Sequence, residues 1–451
     1  SRVLLHTAST LLAVSLLTGA GLAQLPPSNR TWSRTYGGPV SSQGLYDLHQ
    51  LPGGTLVAAG FTGSFGGLTP FNWLLRLDLT TGDVLTEAAS SSVPAGITDG
   101  AAVAADGGAL FLGRNVLDLF TKHDAWLLRV DASGGVVWSQ GFTRPGSGKH
   151  FLFDAVELGD GSWIAVGATS ILDFPPQPAW IVRLGPDGVP LWHHEYGAGI
   201  AETARSVTAT SDGGFAVAGW TNSSGAGSDD AWVMKIDASG AIEWQRTYGG
   251  LDADQLESIV ELDGGGFAVA GSTNSLTSSG HAPWVLRLSG TGALLWHRAV
   301  ASDVWGDLGA VAQANDGQLI VVGRVGEPGF PSNDLWCAKL STADGQVLWQ
   351  RAYEGDTGDF GSTVLPLASA GFVLGGTWGW GFPGESIWLN RTDRVGSLAD
   401  CDIVRTTAFS LIGPPILVRP GATVRAPGGA QTQAVGVQVA ASAAEVIEIC
   451  R

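Results

Sequence analysis

Short runs of apolar residues, some continuous and some alternating with polar residues, recur along most of the chain. The clearest copy contains four such runs, which are Ile242–Tyr248, Ser258–Leu262, Phe267–Ala270 and Trp284–Leu288. Alternation over four to eight residues predicts half-buried strands, and short continuous apolar runs bounded by turns predict buried strands. The pattern therefore predicts an all-β fold built from four short strands per repeat.

Two kinds of connection join these predicted strands. Asp237–Gly240 and Asp263–Gly266 are predicted to be tight turns, in which glycine or aspartate can adopt positive φ. The other two connections, such as 249–257 and 272–282, are longer and vary between repeats. In an antiparallel sheet both tight turns lie at one end, so both longer connections lie at the opposite end, here called the long-loop face.

Three markers recur at intervals of about 52 residues. The first is a tryptophan series: Trp73, Trp126, Trp180, Trp232, Trp284, Trp336 and Trp388. The second is Trp32, Leu85, Trp138, Trp192, Trp244, Trp296 and Trp349, and the third is Gly60, Gly113, Gly167, Gly219, Gly271, Gly323 and Gly376. Because each marker occurs seven times, the sequence predicts a seven-bladed β-propeller of four-stranded antiparallel blades over residues 24–396.

The last repeat lacks its tryptophan-bearing strand, and an orphan copy of that strand lies at 29–36. The simplest interpretation is that this N-terminal strand completes blade seven. Residues 397–403 are the alternative for the same place.

Three segments give the repeat a family resemblance: Ser211–Phe215, Asp229–Asp237 and Trp244–Gly250. Over residues 29–396 the chain resembles uncharacterised secreted prokaryotic β-propeller repeat proteins. A weaker likeness to quinoprotein-like propeller repeats is carried by Leu79–Asp83 and Ala343–Trp349. The first resemblance implies a propeller fold and export from the cell, and it implies no reaction.

Composition and the N-terminal segment indicate where the protein is located and which partners are excluded. Residues 1–23 are expected to be a signal peptide, because the apolar run Leu11–Leu22 is short and small residues precede Gln24. No membrane span is expected after its removal, and the protein is predicted to be secreted, cell-surface or periplasmic. The net charge of −17 argues against nucleic acid as a partner.

Residues 397–451 break the repeat and are predicted to form a small C-terminal β appendage. Cys401 and Cys450 bracket this tail and are expected to form a disulfide, since disulfides persist outside the cytoplasm. Cys337 lies within a strand pattern and is interpreted as a buried apolar residue.

Features present in every repeat are interpreted as scaffold, so function is sought where the repeats differ. Three acids, Glu202, Asp254 and Asp359, lie six residues after a tyrosine and are expected to approach the central channel together. The ligand-binding candidates on the long-loop face are Trp220, Trp305, Trp378, Trp380, Glu202, Asp254, Asp307 and Asp359. Oxygen-rich loops of this kind are compatible with calcium, and no other cofactor is predicted.

Two functions remain open from the sequence. The first is a secreted, non-enzymatic binding or scaffold protein whose long-loop face binds an extracellular glycan, peptide or protein. The alternative is an enzyme with its site in the channel, either quinone-dependent and dehydrogenase-like or active on polysaccharides. No catalytic residue is assigned, because the sequence contains none of the usual nucleophile or zinc motifs.

Overall fold

The computed structural model describes the chain from residue 31 onward, apart from several connections. The described ranges are 31–37, 42–63, 70–91, 96–118, 122–143, 148–170, 177–197, 201–276, 281–300, 305–326, 333–355, 358–368, 371–379 and 385–399, followed by 403–406, 411–412, 417–420, 424–427, 431–433, 438–440 and 445–450. Every regular element within these ranges is a β-strand, which confirms the all-β prediction.

The strands up to residue 392 form four-stranded antiparallel meanders. In chain order the first strands are Trp32–Gly37 (β1), Gln43–Leu51 (β2), Thr55–Thr62 (β3), Phe71–Asp78 (β4), Val84–Ser91 (β5), Gly96–Val103 (β6), Ala109–Asp118 (β7), Lys122–Val130 (β8), Val136–Thr143 (β9), Gly148–Glu157 (β10), Trp163–Ser170 (β11), Ala179–Leu184 (β12) and Pro190–Gly197 (β13). They continue as Glu202–Ala209 (β14), Phe215–Thr221 (β15), Asp230–Ile236 (β16), Ile242–Gly249 (β17), Asp254–Glu261 (β18), Phe267–Thr273 (β19), Ala282–Leu288 (β20), Leu294–Val300 (β21), Trp305–Gln313 (β22), Leu319–Gly326 (β23), Asn333–Leu340 (β24), Val347–Tyr353 (β25), Phe360–Pro366 (β26), Phe372–Trp378 (β27) and Ser386–Thr392 (β28).

Strand pairing gives six sheets. Five of them have five strands, and the sixth has ten because a short parallel pairing of β10 with β8 joins two meanders, β6–β9 and β10–β13. The N-terminal strand β1 pairs with β28, so that Trp32 lies opposite Arg391 and Tyr36 lies opposite Ile387. It is the fourth strand of the meander that begins with β26.

The apolar core lies between neighbouring meanders. Strands in the middle of a meander, such as β16, β19 and β20, are buried along their whole length because a meander packs on each of their faces. One core cluster joins Val233 and Tyr248 of one meander to Phe267 and Trp284 of the next. Outer strands such as β13 are buried less completely, and only His194 and Tyr196 of β13 are buried.

The meanders form a closed ring, which makes the fold a β-propeller. The first strand of each meander is its inner strand. It packs against the inner strand of the next meander, and β26 of the last meander packs against β2 of the first. Apolar residues from both meanders fill this closing interface, among them Tyr36, Leu45 and Leu389. The Ser362 hydroxyl also donates a hydrogen bond of 3.1 Å to the Leu45 carbonyl.

The tail differs from the expected appendage, because its strands do not form a sheet of their own. Each adds a fifth, antiparallel strand to the outer edge of a different meander. In chain order Val404–Thr406 (β29) pairs with β25, Leu411–Ile412 (β30) with β21, Leu417–Pro420 (β31) with β17, Val424–Pro427 (β32) with β13, Gln431–Gln433 (β33) with β9, Gln438–Ala440 (β34) with β5 and Glu445–Cys450 (β35) with β1. We call β29–β35 the belt.

Two further sequence predictions concern cysteine residues and membrane spans. Cys337 is fully buried as a free thiol, and burial raises its pKa. Cys401 lies outside the described residues, so its disulfide with Cys450 stays a prediction. In the part of the chain that the structure describes, no helix has the length and hydrophobicity needed to cross a bilayer.

Candidate functional site

A β-bulge interrupts the inner strand of every meander at an equivalent place, near the long-loop face. Each bulge leaves one residue without a partner on the neighbouring strand. Bulges bend a strand locally and redirect a side chain. The residues concerned are Tyr46, Asp99, Phe153, Arg205, Glu257, Gly309 and Ser362, and all of them line one central cavity of about 620 Å³.

The residue type at the bulge differs in every meander, although the backbone irregularity is the same. The side chains of Arg205 and Glu257 form an ion pair with 2.8 Å between Nε and Oε2. The Tyr46 hydroxyl donates a hydrogen bond of 2.7 Å to the Thr98 carbonyl of the next meander. The propeller therefore presents a non-repeating ring of side chains on a repeating frame.

The Trp305 cluster, consisting of Trp305, Asp307, Arg324 and Phe360, forms one side of the central cavity. Asp307 Oδ2 accepts hydrogen bonds from Arg324 Nε at 3.0 Å and from Nη2 at 2.7 Å. The guanidinium lies 4.6 Å from the Trp305 ring centre and 5.2 Å from that of Phe360. Trp305 keeps 40% of its surface exposed, so its ring is accessible from the cavity.

The arginine–phenylalanine stack, consisting of Arg114, Phe151, Phe153 and Arg205, lies across the ring from this cluster. The two phenylalanine rings are parallel within 10°, with centres 6.0 Å apart. Arg114 lies 4.9 Å from the Phe151 ring centre, and Arg205 lies 4.6 Å from that of Phe153. Planar cations thus cover both ends of the aromatic pair.

Arg114, at one end of this stack, forms an ion pair with an aspartate. Arg114 Nη1 lies 3.0 Å from Asp99 Oδ1. Burial raises the pKa of Asp99 to about 6, although the positive charges of Arg114 and Arg205 oppose the shift. The two arginines of the stack are therefore held by Asp99 and Glu257.

The residue after the bulge ties each of several meanders to the next. Asp154 Oδ2 accepts a hydrogen bond of 2.9 Å from the Val207 amide, and Asp47 Oδ2 accepts one of 2.7 Å from the Val103 amide. Burial raises the pKa of both aspartates to about 6, and the same backbone hydrogen bonds partly offset that effect. These carboxyl groups hold the inner wall together.

The three acids expected to meet at the channel do not line the cavity. Glu202, Asp254 and Asp359 are buried within their own meanders. Asp254 accepts hydrogen bonds from Thr273, from the Ser275 hydroxyl at 2.7 Å and from the Gly250 amide at 2.9 Å. Its pKa is raised by burial, against the effect of these bonds.

Glu202 and Asp359 have comparable surroundings. Glu202 Oε1 accepts a hydrogen bond of 3.2 Å from the Thr221 hydroxyl, and Asp359 Oδ1 accepts one of 3.1 Å from the Gly379 amide. In all three cases the carboxyl group bonds to the end of the second strand of its meander or to the connection after it.

Of the other predicted binding residues, some line a cavity and one is packed away from both cavities. Trp305 and Asp307 line the central cavity, and Trp220 lines a second cavity of about 410 Å³ beside it, here called the side cavity. Trp378 instead packs edge-on against Trp388, with ring centres 4.8 Å apart. Trp380 lies outside the described residues.

Sequence reasoning missed the bulge residues and the stack. A signal for them exists, because positions 46, 99, 153, 205, 257, 309 and 362 follow the repeat spacing while their residue type changes completely. Among the described residues no cluster of three or more His, Cys, Asp or Glu side chains is arranged to hold a metal ion.

No family model matches this sequence, and no curated protein matches it. Solved structures similar to the chain include Sqt1 from Chaetomium thermophilum, with 10% identity, a TM-score of 0.45 and coverage of 78% of this chain and 95% of that one. The Penicillium chrysogenum alpha-L-arabinanase complexed with arabinobiose has 10% identity and a TM-score of 0.37, with 80% and 98% covered. The V. cholerae biofilm matrix protein Bap1 has 9% identity and a TM-score of 0.30, with 82% and 90% covered. Similarities this low carry no argument about function, and they place the chain in no family.

Proposed function

We propose that this protein is a non-enzymatic binding protein whose central cavity takes a neutral, hydroxyl-rich ligand, namely an oligosaccharide. The observation that carries the proposal is that the arginines in the cavity wall are already paired with acids of the same wall and lie against aromatic rings. Such a wall offers flat apolar faces and fixed hydrogen-bonding groups. Its volume falls within the range of small-molecule sites.

The pairing of charges argues against a strongly charged ligand. Arg324 is held by Asp307 and Arg205 by Glu257. An anionic or cationic ligand would have to break one of these pairs and leave its partner without compensation in a partly buried site. A neutral sugar can hydrogen-bond to the outer atoms of both pairs while it stacks on the exposed face of Trp305.

A glycan and peptide array on the mature protein tests this proposal, with calorimetry on the best neutral oligosaccharide. We expect Trp305→Ala to weaken binding at least tenfold. The control Leu295→Ala removes an exposed apolar side chain from outer strand β21, away from the cavity, and should change affinity less than twofold. Binding only of charged glycans or peptides, or equal effects of the two variants, would contradict the proposal.

A polysaccharide-active enzyme is the second candidate, and the acids of the central cavity favour it. Asp99, with a pKa raised to about 6, lies in the same wall as Glu257. Glycoside hydrolysis uses a carboxylic acid with a raised pKa together with a second carboxylate group. Release of reducing ends that falls above pH 6 and is lost in Asp99→Asn would support it. Binding without any hydrolysis from pH 4 to pH 8 would rule it out.

We also infer that the propeller has seven blades, with the ten-stranded sheet counted as two. Support comes from its two complete meanders, which are joined by a short parallel pairing at Gly148 and Lys149. Export with removal of residues 1–23 is part of the same proposal, and N-terminal sequencing of the mature protein tests it. Repeating the glycan and peptide array in the presence of a chelator tests whether calcium contributes to binding.

A further inference from the structure

The side cavity continues directly from the central cavity. Phe153, Arg205, Gln255 and Glu257 line both. The boundary between the two spaces is therefore one shared set of side chains from three neighbouring inner strands, β10, β14 and β18.

We infer that the two cavities are subsites of one groove, and that a linear neutral oligosaccharide occupies both at once. This inference rests on the proposed function and extends it, because it specifies a chain of several sugar units. Phe153 and Arg205 of the arginine–phenylalanine stack lie where the subsites meet, and Arg114 and Phe151 line the side cavity alone.

The side cavity offers the same chemistry as the central one. Trp220 is half-buried on its wall, as Trp305 is partly exposed on the wall of the central cavity. Side-chain amides and hydroxyls from Gln177, Thr169 and Thr203 complete the lining. Two adjoining spaces with matching aromatic and neutral polar groups suit a ligand made of repeated, similar units.

The side chains at the junction are held by contacts with one another in the absence of a ligand. Arg205 is held at once by Glu257, at 2.8 Å, and by the face of Phe153. Phe153 is in turn stacked on Phe151, which Arg114 covers. A surface that is already ordered costs little conformational entropy on binding, so a ligand that crosses it gains affinity from each subsite.

Neutral gluco-, manno- and xylo-oligosaccharides of two to six units test the inference by calorimetry on the intact protein. For a series that binds, we expect affinity to rise at least tenfold from two to six units. Trp220→Ala should abolish that rise, so that the hexasaccharide loses more affinity than the disaccharide. Trp305→Ala should weaken every length, and Trp220→Phe should restore part of the rise.

The outcomes separate this inference from the proposed function. Affinity that is independent of length, or an equal loss at all lengths in Trp220→Ala, overturns the two-subsite groove while the central site stands. Absence of binding by every oligosaccharide overturns both. The circular dichroism and melting temperature of each variant, compared with Leu295→Ala, show whether a loss reflects the groove or the fold.

Discussion

At the residue scale, positions that repeat around the ring act as scaffold. Tyr36, Tyr196, Tyr248 and Tyr353 occupy one such position. Each hydroxyl donates a hydrogen bond of 2.6–2.8 Å to a glycine carbonyl in a tight turn of the next meander. Phe142 occupies the equivalent position opposite Ala125, as Tyr248 lies opposite Ala231. The chain therefore contains its own comparison between tyrosine and phenylalanine.

Tyr248→Phe should lower the free energy of unfolding by about 1–3 kcal/mol, because the buried Gly292 carbonyl loses its donor. The reciprocal change Phe142→Tyr places a hydroxyl near the corresponding turn glycine, Gly188, and should not destabilise by the same amount. Urea unfolding of both variants measures the difference. Equal losses in the two variants would show that the hydroxyl is not what matters at this position.

Residue-level function was harder to predict from the sequence than residue-level structure. The repeated tryptophans were correctly assigned to the scaffold, since a feature common to all meanders serves their packing. Glu202, Asp254 and Asp359 share a sequence position, which suggested a common destination at the channel. Their side chains instead bond to nearby strand ends and connections, because burial of a carboxyl group requires nearby donors. Which way a side chain points depends on the bulge, and the sequence marks the bulge only as one repeat position at which the residue type changes completely.

At the element scale, the tight turns join neighbouring meanders as well as neighbouring strands. Trp244 Nε1 donates a hydrogen bond of 3.0 Å to the Gly290 carbonyl in the next meander. Its ring covers Gly292, whose φ is +75° and whose missing Cβ would lie 2.6 Å from that ring. Gly213 has a similar φ of +87° in the other kind of tight turn, with open space where a Cβ would be.

Alanine at these two turns should separate backbone strain from packing. Gly213→Ala should cost about 1–2 kcal/mol, the price of a left-handed conformation for an L-residue. Gly292→Ala should cost roughly 1–3 kcal/mol more, because the added methyl group must displace the Trp244 ring. Denaturant midpoints of the two variants measure this, and indistinguishable losses would contradict the packing role.

Strands and turns of the repeat could be predicted because each carries its own signal of alternation and glycine. The belt strands are two to six residues long and carry a weak signal. Their partners are outer strands from all over the ring, so nothing local in residues 397–451 indicates where each will pair. For this reason the sequence of residues 397–451 predicts a compact appendage rather than a belt.

At the scale of the whole molecule, the belt covers the outer edge of each meander. Such edges otherwise present unpaired backbone groups and promote association between molecules. Truncation after Thr406 removes β30–β35 and keeps β29, and truncation after Pro427 removes only β33–β35. We expect the melting temperature to fall in both, more in the shorter protein, with association that increases with concentration.

Calorimetry and light scattering of the two truncated proteins check this expectation. The far-UV circular dichroism of a folded ring should remain, since the meanders keep their mutual packing. Melting temperatures equal to that of the full chain would show that the belt contributes nothing to the fold.

The path of the belt also has a consequence for kinetics. Its strands pair with partners from almost the whole length of the chain, in reverse order, and β35 ends beside β1. Closing such long loops is entropically costly, so we expect these contacts to form late in folding, after the transition state. Interactions of that kind slow unfolding and leave the folding rate nearly unchanged. The belt thus governs how long a molecule persists once it has folded, rather than how quickly it folds.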